Sequence, residues 1–180
     1  MNIEVTLTRE DEAYIIKNLY PLYLYDLSEH YGLVPGHTPN GHGIYESSDE
    51  YRTLQDQYEV QSIWWEKPNC LYPFLIRVDG IPAGFALIAT PPYCSKGIDY
   101  FVNEFFLLRP FRGKGIAEKA AAQIFTQFKG SWELFTNPAG ANGRGQAFWR
   151  KALSSYTNGK YEETHGSTFN GDMVIFRFRN

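Results

Sequence analysis

From Asn2 to Leu7 (NIEVTL), polar and apolar residues alternate with the period of a half-buried strand. Thr8 followed by Asp11 has the spacing of a helix-capping pair, which predicts a helix carrying Tyr14, Ile15, Leu19 and Leu22 on one face. Pro21 lacks a backbone N–H, so the helix is expected to kink there or to restart with that proline in its first turn. The stretch GLVPGHTPNGHGIYESSDEY, dense in Gly, Pro, His and Ser, reads as a long loop of the functional kind. A short helix is expected within residues 52–61. From Tyr72, YPFLIRVDGIPAGFALIA reads as two strands joined at Asp79-Gly80, a hairpin signal. The more apolar run from Tyr100 to Leu108 (YFVNEFFLL) suits the middle of a sheet. After Gly115, Ile116, Ala120, Ile124 and Phe128 recur at helical spacing, and Gly130 ends that helix. Trp132 to Thr136 reads as a strand, Asn142 to Ala152 as a helix, and Met173 to Arg179 as a closing strand. The order βα(α)βββαβαβ predicts an α+β domain with helices cradling a mixed sheet.

Composition narrows the setting. With 180 residues, 43% apolar and 21% charged, the chain is long enough for one domain, taken as residues 1–180, with a sizeable core. No apolar run approaches the roughly 20 residues that span a bilayer, so no membrane association is expected. The acidic N-terminus does not resemble an export signal, and the two cysteines, Cys70 and Cys94, make no disulfide framework, so the expected location is cytoplasmic. The net charge of −3 argues against nucleic acid as a partner. Its distribution is uneven: residues 1–60 hold eleven acidic side chains against three basic ones, and the remainder is net basic. An acidic first third suits a cationic ligand, and a basic remainder suits an anion; a merely solubilising surface has the same signature.

The sharpest local feature is FFLLRPFRGKGIA, Phe105 to Ala117: a buried strand, a proline, an R-G-K-G turn and a helix. The first turn of a helix has unpaired N–H groups and the positive end of the macrodipole, so a glycine-lined entry suits a diphosphate. A P-loop requires Ser or Thr after Gly-Lys, but Gly115 follows Lys114. A dinucleotide fingerprint requires a third glycine where Glu118 stands. What remains, Arg112, Gly115 and Ala117 in R-x-x-G-x-A, resembles the coenzyme A pyrophosphate turn of the GCN5-related N-acetyltransferases (GNAT). Downstream, Asn142, Gly145, Phe148 and Trp149 resemble that family's N-x-x-A-x-x-F-Y segment. Glu104-Phe105-Phe106, Trp132-Glu133 and Phe148-Trp149-Arg150-Lys151 are similar to a subgroup of acetyltransferases with the same landmarks.

The resemblance implies the acyl-CoA N-acyltransferase fold, a mixed sheet of about seven strands flanked by about four helices. Residues of about 1–66 would supply a strand, helices and an acceptor loop, and about 70–180 the cofactor-binding part. Acetyl-CoA is the implied co-substrate, contacted by Phe106, Leu107, Leu108, Arg109, Arg112, Gly113, Lys114, Gly115, Ile116, Ala117, Asn142, Phe148 and Trp149. The implied reaction is direct acetyl transfer to the primary amine of a small molecule, with no covalent enzyme intermediate, by a monomer or homodimer. Polyamine, aminoglycoside, amino acid, peptide and protein lysine all stay open as acceptor. A non-catalytic acyl-CoA or nucleotide-binding module on the same fold is the alternative, and an interaction domain with an incidental glycine turn a third reading.

The chemistry sets its own demands. At neutral pH, freeing an alkyl amine of its proton costs about 4–5 kcal/mol, so a base must collect it. Glu104 stands on the central strand where the family often places an acid, and its apolar neighbours would raise its pKa and improve it as that base. The family tyrosine that protonates the leaving thiolate is replaced by Trp149, whose indole cannot donate a proton near neutral pH. Tyr156, or Tyr161, is the candidate substitute. A strand amide near Leu107 is expected to hold the carbonyl. Tyr31, His37, His42 and Tyr45, with Glu46, Asp49 and Glu50 close by, are expected to line the acceptor pocket. The histidine spacing fits no zinc pattern, and no metal is expected.

Overall fold

The computed structural model describes residues 1–180. Seven strands form one sheet in the order β1-β2-β3-β4-β5-β7-β6, built from Ile3–Leu7 (β1), Leu71–Val78 (β2), Ile81–Ala89 (β3), Tyr100–Leu107 (β4), Ser131–Thr136 (β5), Glu162–Thr168 (β6) and Gly171–Arg179 (β7). Three long helices, Ala13–Tyr31 (α1), Ile116–Gln127 (α4) and Gly143–Thr157 (α5), flank it with two short ones, Leu54–Tyr58 (α2) and Ile63–Glu66 (α3). No helix is long and apolar enough to cross a membrane.

The β2–β3 hairpin turns at Asp79 and Gly80, both with positive φ (50° and 81°), as a two-residue turn matched to the strand twist requires. All neighbouring strands run antiparallel except β4 and β5, which run parallel and pair only at Tyr100↔Trp132, Phe101↔Glu133 and Val102↔Leu134. Beyond that point they diverge. The register of β4 against β3 shifts between Leu87 and Ile88, so Asn103 lies in a bulge just where the divergence begins. This splay at the centre of the sheet is the cleft that the site occupies.

The core has two layers. On one face, Val102, Leu134, Val174 and Phe176 pack against Ile124 and Phe125 of α4 and Trp149 and Leu153 of α5. On the other, Leu75, Phe85, Leu87, Phe101 and Phe106 pack under Ile16 of α1 and Trp64 of α3. β3 approaches β4 most tightly at Gly84: a Cβ there would strike the Phe106 carbonyl oxygen and come within 2.9 Å of Leu107 Cα. Because the obstacle is backbone, Gly84→Ala is expected to lower stability by about 2–4 kcal/mol, read as a fall in the urea midpoint. An unchanged midpoint would show that the two strands have slack there.

Several local expectations are corrected. Thr8 does not cap α1; its hydroxyl is buried without a partner and its N–H bonds the Pro73 carbonyl, so a 3-10 turn at Glu10–Glu12 leads into the helix instead. A true capping box forms at Thr53 and Asp56, opening α2. α1 runs through Pro21 as one element, and its buried face is rotated from the one expected: Ile16 is fully buried, while Tyr14 and Leu22 are exposed. β6 (EETHGST) is absent from the residue-by-residue reading because an edge strand with one pairing partner carries no apolar alternation.

Candidate functional site

The site is assembled where β4 leaves β5. Leu108 N–H donates to the Ala83 carbonyl at 2.8 Å, so strand alternation turns the N–H and C=O of Leu107 away from β3, toward the side that β5 has vacated. The Leu107 carbonyl accepts from Arg112 Nε at 2.7 Å, which leaves the Leu107 amide pointing into the splay. After a 3-10 turn at Arg109–Phe111, Gly113 and Gly115 adopt φ of 75° and 72°, a left-handed conformation that glycine reaches without penalty. No atom lies within 4 Å of a Cβ at either glycine, so the turn faces open space. None of the amides from Gly113 to Glu118 donates to another residue of the chain. The amides from Gly113 to Ala117 are thus left free at the positive end of α4, while the Glu118 carboxylate holds its own amide.

The cations of the turn are braced by α1. Asp26 of α1 accepts from Arg112 Nη2 at 2.6 Å and from Arg109 Nε at 3.0 Å, while Arg109 also faces Glu29 at 3.7 Å. Lys114 Nζ donates to the Pro110 carbonyl at 2.9 Å. Arg109 is 61% exposed, and an ion pair so open to water holds it weakly, leaving it able to turn to an incoming anion. Arg112 is the brace: one guanidinium joins α1, the end of β4 and the glycine turn.

Glu104 lies on the α1 face of β4, nearly two turns of α1 away from that brace. Tyr20 of α1 donates its hydroxyl to Glu104 Oε1 at 2.7 Å, whereas Oε2 is shielded from solvent without a partner. Burial pushes the Glu104 carboxyl up to about 7, and the Tyr20 hydrogen bond opposes part of that rise by favouring the charged form. Tyr23, on the same stripe of α1, packs against Phe106 and Phe85 with ring centroids 5.6 and 5.7 Å away. Burial, then the negative charge of Glu104, holds its hydroxyl well above the usual range.

The other expected site residues divide clearly. Phe148 stacks on Phe105 of β4, and Trp149 meets the same ring edge-on, so both line the α5 side of the splay. Phe106 and Ile116 are buried, the first under α1 and the second in the core, so each offers the cleft its backbone. Asn142 is also buried: its amide donates to Thr136 Oγ1 and the Asn137 carbonyl, and its oxygen lies against Gly145 where a Cβ would collide. The side chain expected to meet an incoming ligand therefore ties the end of β5 to the start of α5. Tyr156 is corrected outright. Its hydroxyl accepts from Asn180, its ring packs on Phe125 and Phe178, and this cluster sits beside Gly130 at the start of β5. That is the end of the strands opposite the glycine turn, about 20 Å along β4 at the usual strand rise. Tyr161, just before β6, packs on Phe176 of β7, with β5 between it and β4.

On the acceptor side, Tyr31 and His37 stack face to face at 3.7 Å, and Tyr45 meets Tyr25 edge-on at 6.1 Å, so the loop following α1 folds back on its last turns. Asn40 organises that loop, accepting from the amides of His42 and Ile44 and donating to the Ser48 and Tyr51 carbonyls. His42 itself is exposed. Glu46 and Asp49 are engaged within the loop, by Gln57 and the Gly41 amide. Sequence reasoning passed over Tyr20, Tyr23 and Asp26, although their spacing of three on one helix was a signal that they share a face.

A model of the acetyltransferase (GNAT) family matches residues 41–153. No curated protein matches. Among solved structures, the chain is similar to AAC(6')-Ib in complex with ribostamycin and coenzyme A, at 16% identity with a TM-score of 0.68, covering 100% of this chain and 94% of that one. It is also similar to an acetyltransferase from Thermus thermophilus, at 11% identity and a TM-score of 0.63, covering 100% and 98%. A third is the PaiA N-acetyltransferase from Thermoplasma acidophilum in complex with coenzyme A, at 14% identity and a TM-score of 0.59, covering 100% of both chains. Likeness at such identities establishes a shared fold.

Proposed function

Because the chain belongs to the GNAT acetyltransferase family, we propose that it transfers the acetyl group of acetyl-CoA directly to the primary amine of a small molecule. The observation that carries this reading is Glu104: a carboxylate poised to titrate near neutrality, with one oxygen fixed by Tyr20 and the other unpartnered. It stands on the same strand end as the free amide turn. A base of this kind is what an ammonium acceptor needs before it can attack. The amides of residues 113–117, with Arg109, are suited to the diphosphate of the co-substrate, and the Leu107 amide to its thioester oxygen, where a positioned donor stabilises the developing charge. The thioester supplies the activated acyl group. An acceptor would approach from the α1 face, between Tyr31, His37 and Tyr45, where an acidic N-terminal third attracts a cation. The ribostamycin and kanamycin bound by solved neighbours are amines of this class.

Trp149 favours the second reading, a non-catalytic acyl-CoA-binding module, since it removes the family's usual proton donor. One experiment separates the two. Acetyl-CoA is expected to raise the melting temperature, and a panel containing kanamycin, spermidine, amino acids and a lysine peptide is expected to include an amine that triggers release of free thiol. Binding without thiol release under every amine would establish the module; no thermal shift at millimolar acetyl-CoA would end both readings.

A further inference from the structure

We propose that Tyr23 of α1 donates the proton that the departing thiol sulfur requires. The assignment rests on the acetyl-transfer reading above. Other donors are closed: Trp149 offers only an indole N–H, Tyr156 is packed in the core at the far end of the strands, and Tyr161 packs on β7, beyond β5. Tyr20 commits its hydroxyl proton to Glu104. Tyr31 is stacked flat on His37 at the end of α1, with Asn137 beside its hydroxyl. Tyr23 differs from all of them. Its ring is clamped by Tyr20, Phe85 and Phe106, which fixes where its hydroxyl points, yet that hydroxyl makes no hydrogen bond within the protein.

Position along α1 gives the direction. Tyr20 meets β4 at Glu104, and Asp26 meets it at the Arg112 brace beside the Leu107 carbonyl, so Tyr23 lies over the segment between them. That segment carries the amide suited to the thioester oxygen. Base and acid are thereby hung from one helical stripe, three residues apart. Burial, then the charges of Glu104, Tyr31 and Asp26, holds the hydroxyl protonated in the resting site, and the opposition from Glu104 is lifted once that carboxylate carries the proton taken from the amine.

The step balances as follows. The amine nitrogen bonds to the carbonyl carbon, the C–S bond breaks, its electron pair stays on sulfur, and the Tyr23 O–H proton passes to sulfur. Glu104 takes the first proton from the ammonium and passes it to bulk water before attack; the second proton leaves nitrogen as the amide forms and restores Tyr23 through Glu104 and water, so ammonium plus thioester gives amide, thiol and one proton released to solvent.

Tyr23→Phe keeps the ring contacts and removes the proton. With acetyl-CoA and hydroxylamine, a nucleophile small enough to need no acceptor pocket, kcat is expected to fall about 10- to 100-fold while both KM values stay within about twofold. The thermal shift by acetyl-CoA should be unchanged. With the selenoester analogue of acetyl-CoA, whose selenolate departs without a proton, the variant should match the wild type. An equal loss with both donors, a rise in KM alone, or no loss at all would each overturn the role. A wild type that binds acetyl-CoA yet releases no thiol would instead remove the acetyl-transfer reading, an outcome visible before any variant is compared.

Discussion

Glu104→Gln is expected to reduce kcat/KM by about 10²- to 10⁴-fold, the usual range for a lost general base, and to erase an ascending pH limb centred near 7. Glutamine preserves the shape and still accepts from Tyr20, so the loss isolates proton transfer from packing. The limb ascends because the base works only when ionised, and burial delays its ionisation to about 7. Tyr20→Phe removes a donor that favours the charged carboxylate, so its limb should move to higher pH while the plateau is largely retained. Stability follows with the opposite sign. Folding raises this carboxyl from 4.5 to about 7, so the native state holds a proton that the unfolded chain releases. Wild type therefore loses stability relative to Glu104→Gln as pH climbs from about 4.5 to 7, up to about 3 kcal/mol, and the deficit persists above that window. Melting curves at pH 5 and pH 8 measure it. A gap between the two proteins that does not widen from pH 5 to pH 8, together with a wild-type rate independent of pH, would show that Glu104 is not the base.

The second large effect concerns the glycine turn. Gly115→Glu should abolish the thermal shift produced by acetyl-CoA, weakening binding by at least about 100-fold, because like charges set against each other in a site cost several kcal/mol. The fold should survive. A Cβ at this position meets nothing within 4 Å, and the only cost is the φ of 72°, about 1–2 kcal/mol for a residue other than glycine. Gly115→Ala carries that same strain without the carboxylate and should keep most of the shift. If the Ala and Glu variants lose binding equally, backbone geometry rather than charge governs the turn.

The sheet's centre and the turn were legible because their causes are local. Asp79-Gly80 fixes a hairpin by its own dihedral angles, and Phe105 to Ala117 encodes strand, turn and helix in thirteen consecutive residues. Glu104 could be singled out as the one ionisable carboxylate on a largely apolar strand. What stayed hidden depends on residues far apart in the chain. Tyr20 reaches Glu104 across 84 positions and Asp26 reaches Arg112 across 86, and α1, apolar on several sides, gives no periodicity that selects its inner face. Asn142 shows the converse: its residue type and spacing suited a ligand, but both amide hydrogen bonds are internal, which spacing alone does not reveal. β6 escaped because polar residues on both of its faces leave backbone pairing as its only cause.

The short junction between β4 and β5 has a mechanical consequence. Three residue pairs stitch a four-stranded slab to a three-stranded one, and beyond them the two are joined by the core packed under α4 and α5 on one face only. Whatever lodges between the two lips is then a structural member as much as a reactant. Each turnover would rivet the two slabs together and release them again, so the empty protein should exchange its amide hydrogens fastest along that seam.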